Sequence, residues 1–320
     1  MKSEKNLSVV VIGGGTGMPV LLRGLKDLPV DLTALVTVAD DGGSTGRLRD
    51  EMGMPAPGDI RNVIAALSDA EPMLLDLFQH RFQAGKDLTG HSMGNLLLAA
   101  MTSVTGNFLM GIQEISRVLN VKGRILPISN DNMSLHARMT DGSVVSGESQ
   151  IPLAHKQIEQ VYLSPQPVHP LPDAVQAIRD ADLVVVSPGS LYTSIMPNLI
   201  IPQIDKALGQ TSARVVYVCN VMTQEGETDG YTAADHVQAI HRHIGDDCID
   251  SVVVHNEPIR QQVREIYAEE NATPVIYDID RLLAMGLQVI ENDIIDPSKT
   301  ALRHDTHKIA KLLYSMIRDE

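Results

Sequence analysis

Apolar residues fall in short continuous runs: Val9–Ile12, Leu32–Val38, Leu183–Ser187, Val215–Cys219 and Ile249–Val254. β-Branched runs of this length, continuous rather than alternating, predict strands buried on both faces, as in a parallel sheet. Stretches with helical spacing separate them: Pro19–Leu28, Asp59–Leu67, Asn95–Thr105, Asp173–Asp180, Ala233–Ile244 and Thr306–Arg318. Strand, glycine turn, helix, strand predicts a doubly wound, mainly parallel α/β sheet. The middle of the chain reads differently. Arg124–Ile128, Ser134–Met139, Ser143–Val145 and Gln157–Leu163 are short strand-like runs joined by Asp141-Gly142 and Asn130-Asp131-Asn132 turns. They predict a small antiparallel, β-rich insert at about 122–165 in one domain over 1–320, with two lobes as the alternative.

Composition narrows the function classes. Hydrophobic residues make up 43% of the 320, enough for a large core, and the net charge is −14. An acidic chain does not offer the basic surface that nucleic acid or an anionic membrane requires. It can still hold a small anion on backbone N–H groups and a few local arginines. Two cysteines, Cys219 and Cys248, imply no disulfide framework and fit a reducing, cytoplasmic setting. The first apolar run is too short to span a bilayer. Trp is absent and aromatic residues are 3%, so stacking platforms for single strands are not expected.

The candidate chemistry lies in loops after strands. Val9–Ile12 runs into Gly13-Gly14-Gly15-Thr16-Gly17, and Pro19 suits the first turn of a following helix. Such a turn lets a phosphate approach the backbone, or is simply a tight structural connection. Met18 occupies the third glycine position of the dinucleotide fingerprint, and no Gly-Lys-Ser/Thr occurs, which excludes a P-loop. The second strand ends in Ala39-Asp40-Asp41-Gly42-Gly43-Ser44-Thr45-Gly46-Arg47. Asp40 or Asp41 could take a ribose hydroxyl pair, hold Mg²⁺ beside a phosphate, or cap the turn. Ser44, Thr45 and Arg47 offer donors to a phosphate. Residues 42–46 also satisfy G-x-S-x-G, but that elbow needs a long helix, and Gly53, Pro55 and Pro57 follow closely. Gly90-His91-Ser92-Met93-Gly94-Asn95 precedes a helix, with His91 a proton shuttle, a ligand contact or a cap, and Asn95 a ligand candidate. Gly189 and Ser190 follow the third long strand, and Asn220 and Thr223 the fourth. His241, His243, His304 and His307 lack metal-site spacing and read as solvated helix residues.

Six blocks taken together carry a resemblance. They are Val-Ile-Gly-Gly-Gly-Thr-Gly (11–17), Ala-Asp-Asp-Gly-Gly-Ser-Thr-Gly-Arg-Leu-Arg (39–49) and Pro-Gly-Asp-Ile-Arg-Asn (57–62). With them stand Gly-Asn-Leu-Leu-Leu-Ala (94–99), Pro-Gly-Ser-Leu-Tyr-Thr-Ser (188–194) and Cys-Asn-Val-Met-Thr-Gln-Glu-Gly-Glu-Thr (219–228). In this order they resemble the gluconeogenesis factor family YvcK, of the CofD-like superfamily related to 2-phospho-L-lactate transferase. The resemblance implies a Rossmann-like, CofD-like fold over the whole chain. It implies a cytoplasmic regulatory protein for growth on gluconeogenic carbon sources and for cell shape and wall synthesis. It implies a UDP-sugar ligand such as UDP-N-acetylglucosamine, with Mg²⁺ as the one metal to consider, and self-association or regulatory protein partners. The alternative is a CofD-like transferase or an NAD(P)-binding enzyme, and no catalytic residue is assigned.

Overall fold

The first strand, β1 (Leu7–Gly13), lies inside a seven-stranded sheet, with two strands on one side of it and four on the other. The computed structural model describes residues 6–245, 248–296 and 304–318. The remaining strands of this sheet are β2 (Val30–Val36), β3 (Arg124–Pro127), β7 (Leu183–Val186), β8 (Arg214–Val218), β9 (Ser251–His255) and β10 (Gln288–Asn292). Their order is β10-β9-β8-β7-β1-β2-β3, and every neighbouring pair is parallel. Val9, Val10, Val11, Ile12 and Val184–Val186 are fully enclosed, because helices cover both faces. Burying each such side chain is worth about 1.5–3 kcal/mol. The β-branched runs therefore become the interior strands. β10 was not visible as a run, since Gln288, Glu291 and Asn292 interrupt it, and it sits half-exposed at the sheet edge.

A second sheet holds β4 (Ser134–Met139), β5 (Val144–Ser146) and β6 (Ile158–Ser164), antiparallel in the order β5-β4-β6. Arg124–Pro127, expected inside this insert, instead extends the main sheet parallel to β2, with Leu35 opposite Leu126. A four-residue run carries no mark of which sheet it joins; pairing with β2 buries Ile125 and Leu126 in the main core.

The path of the chain creates the cleft. From β1 it steps outward to β2 and β3, then returns through the insert to β7 on the other side of β1. The loops after β1 and β7 thus diverge in opposite directions at neighbouring strand ends, where open α/β sheets bind ligands. Gly17–Leu25 follows β1 as a helix, and Gly43–Met52 follows β2. The second of these runs ten residues and ends on Gly53 at φ 62, so the helix after Ser44 is short, as the closely following Gly53 indicates. Among the described residues no single helix is long and apolar enough to cross a membrane.

Candidate functional site

The glycine turn after β1 is fixed by its protein neighbours. A Cβ on Gly13 would stand 2.0 Å from Ser187 Oγ, on Gly14 2.5 Å from Asp59 Oδ2, and on Gly17 2.2 Å from the Pro188 carbonyl oxygen. Gly15 has φ +62, the left-handed region that glycine tolerates and a β-branched residue does not. The glycines are thus required for the turn to pack on the loop after β7, before any ligand enters. The Gly15 N–H donates to Asp59 Oδ2 at 2.7 Å rather than standing open. Thr16 and Gly17, by contrast, line a cavity of about 200 Å³ with Pro188, Gly189, Ser190 and Asn220. The N-terminus of helix Gly17–Leu25 opens here, with its unpaired N–H groups and the positive end of its dipole.

Several expected ligand residues are engaged within the protein. Asn220 holds the β7 loop through both amide atoms, accepting from Gly189 N–H at 3.0 Å and donating to the Gly189 carbonyl at 2.6 Å. Ser190 Oγ donates to Gln224 at 2.7 Å. Thr223 is buried and accepts from Thr273 N–H at 2.9 Å. Arg47 turns to the surface, donating to the carbonyls of Thr89 and Asp87 at 2.9 and 2.8 Å. Its near neighbour Arg49, which the motif reading passed over, is buried and reaches Ala39 and Asp40 carbonyls, Asn132 and Met133. It ties the end of β2 to the insert.

Ser44, His91 and Asn95 form one buried group. Asn95 donates to Ser44 Oγ at 3.2 Å, which leaves the hydroxyl to donate to His91 Nδ1 at 2.9 Å. Burial, then the nearby Arg47, lowers the His91 pKa, so the neutral ring is the acceptor. Ser44, His91 and Asn95 are 5%, 3% and 2% exposed, and their hydrogen bonds tie two helix starts together.

Carboxylates gather over the ends of β1 and β2. Asp40 accepts from Gly42 N–H at 2.8 Å and Asp41 from Ser149 N–H at 2.9 Å, which joins the β2 loop to the insert. A Cβ on Gly58 would meet Asp40 Oδ2 and Thr45 Oγ1, both at 2.5 Å, so these groups fill the floor beside Gly58. Burial raises the Asp40 carboxyl, and burial with the charge of Asp40 pushes Asp59 up to about 6. Glu148, from the insert, is raised well above its ordinary value by burial and then by Asp40, Asp59, Asp41 and Glu227. Its Oε2 is enclosed and has no hydrogen-bond partner among the described residues. Arg61, lowered by burial and by Arg81, is charge-coupled to Asp59 and Asp40, and its stem packs on Gly94. Asp59, Arg61 and Glu148 lie outside the glycine-loop patterns. Asp59 and Arg61 do fall in the block Pro-Gly-Asp-Ile-Arg-Asn (57–62), and the acid in the first turn of helix Gly58–Leu67 was the further signal.

Glu227 secures the other wall. It is 4% exposed and accepts from Tyr192 N–H at 3.0 Å, Thr193 Oγ at 2.7 Å and Gln224 Nε2 at 2.9 Å. Burial pushes its carboxyl up to about 7. Leu191–Ile195, which it holds, is a π-helical turn, a rare form that is frequent at functional sites. The histidines expected in solvent are partly spent inside: His241 is buried, and His243 donates to the Ala239 carbonyl while its Nε2 accepts from Val161 N–H at 3.0 Å. Among the described residues no three His, Cys, Asp or Glu side chains converge to chelate a metal ion.

A glycine-turned switch point, an acid-lined floor and an antiparallel insert over it describe a doubly wound α/β protein, and residues 9–295 match the family described as 2-phospho-L-lactate transferase CofD. The chain belongs to that CofD family. Within it, its near relatives are gluconeogenesis factors. That of Bacillus subtilis (strain 168) is 55% identical over 311 residues, 97% of this chain and 98% of the relative. That of Listeria monocytogenes is 42% identical over 320 residues, 100% of this chain and 98% of the relative. The crystal structure of protein BH3568 from Bacillus halodurans superposes with a TM-score of 0.95 at 55% identity, covering 97% of this chain and all of that one.

Proposed function

We propose that the protein is a cytoplasmic nucleotide-sugar sensor. It binds a UDP-sugar such as UDP-N-acetylglucosamine at the ends of β1, β7 and β8, and so supports growth on gluconeogenic carbon sources and normal cell shape and wall synthesis. The observation that carries this reading is the cavity at the switch point, where Thr16, Gly17, Gly189 and Ser190 meet at a helix N-terminus. A diphosphate there would receive backbone N–H groups and the helix dipole. The relatives' name supports the metabolic role. The acidic floor of Asp40, Asp59 and Glu148 would repel a diphosphate unless protons or a cation intervene. Mg²⁺ suits that place, since it binds through one or two carboxylates together with phosphate oxygens. A sensor needs only a ligand that favours one conformation over another, with self-association or partner proteins as the readout.

The transferase reading is favoured by one observation: raised carboxyls beside a buried arginine are the usual equipment of acid–base chemistry. Incubating the protein with UDP-N-acetylglucosamine, Mg²⁺ and small molecules from cell extract, then following the nucleotide by chromatography, separates the two. The sensor leaves the UDP-sugar intact; steady multiple turnover would promote the enzyme.

A further inference from the structure

A second cavity, about 400 Å³, opens at the ends of β8 and β9. Cys219, Ala233 and Val254, all buried, form part of its lining. The segment Pro274–Tyr277 forms one wall, held by Val275 N–H donating to the Val221 carbonyl at 2.9 Å. Asn256 and Glu257 lie at its exposed side. Asn220 and Val221 line both this cavity and the smaller one at the switch point, so the two are neighbours across one strand end.

We propose that this cavity takes the nucleoside end of the ligand, so that the ligand lies from β9 across β8 and β7 toward β1, with its sugar over the acids at β1 and β2. This rests on the reading that a nucleoside diphosphate sugar is bound. Three features set the direction. The β8–β9 cavity combines apolar surface with the Tyr277 ring, which suits a flat heterocycle, and Asn256 and Arg264 in its lining carry donors for the carbonyl oxygens of such a ring. The acid-lined floor, with Arg61 beside it, supplies the acceptors and the cation that suit a hydroxyl-rich sugar. The carboxylates after β2, where a dinucleotide fold would place the ribose, each accept a backbone N–H, from Gly42 and Ser149, and belong to the floor assigned to the sugar. Glu257, just past β9, is the acid left at a strand end to receive the ribose hydroxyl pair.

The test is photolabelling of the full chain with 5-azido-UDP, competed by unlabelled UDP-N-acetylglucosamine, with the label located by mass spectrometry. The expected label falls within residues 254–277 and is suppressed by the competitor. Ile276→Trp, at a position 68% exposed on the cavity wall, is the companion variant. It should lower UDP affinity by at least about ten-fold without changing the melting temperature of the free protein. Competed label within residues 39–62 or 146–150, or unchanged affinity in Ile276→Trp, overturns the orientation and leaves the sensor reading standing. Absence of any saturable UDP binding by the unaltered protein overturns both.

Discussion

Replacing Asp59 by asparagine should stabilise the fold at alkaline pH. The carboxyl is buried beneath the glycine turn, and burial with the charge of Asp40 raises it from 3.8 to about 6. Between those values the folded state holds a proton that the unfolded state has released. Its favourable contribution is therefore present in acid and lost as the pH rises from about 4 through about 6. About two pH units at 1.36 kcal/mol each give a penalty of roughly 3 kcal/mol once both states are ionised. Asparagine keeps an oxygen for the Gly15 N–H and carries no charge to desolvate. Chemical denaturation of both proteins at pH 4 and pH 8, in chelator, gives the measurement. The advantage of Asp59→Asn over the unaltered protein should grow by roughly 3 kcal/mol between the two, or about 4 °C in melting temperature for a chain of this size. An advantage that stays flat with pH, or a variant weaker at pH 8 than at pH 4, would refute the burial argument.

Other outcomes follow from the same contacts. Gly17→Ala should lower the melting temperature with no ligand present, since the added carbon meets the Pro188 carbonyl at 2.2 Å; an unchanged melt would show that the turn relaxes freely. Chelation of Mg²⁺ should weaken UDP-N-acetylglucosamine binding at least about ten-fold by calorimetry, and Asp59→Asn should reduce that dependence; equal affinity with and without chelator removes the cation from the account.

The interior of the sheet was legible because parallel strands covered by helices must be apolar at every position, as Val9–Ile12 and Leu183–Val186 are. The switch-point loops were legible for the same reason, since they begin where those runs stop. The sheet joined by Arg124–Pro127 was not, because pairing with β2 is a tertiary choice that four residues do not encode. Glycine content proved ambiguous in physical terms. Protein atoms, not a ligand, occupy the space beside Gly13, Gly14 and Gly17, so a Gly15→Val variant that loses ligand would report strain as much as a lost phosphate contact. Asp59, Glu148 and Glu227 come from three separate segments and acquire their character only through burial. No spacing rule links them.

A calorimetric titration of the purified chain with UDP-N-acetylglucosamine in Mg²⁺ tests the central claim most directly. The account predicts a saturable isotherm with one ligand per chain, and stabilisation of about 2.7 kcal/mol at 100 times the dissociation constant. No heat and no stabilisation with any UDP-sugar, alongside a saturating isotherm with NAD, would contradict it.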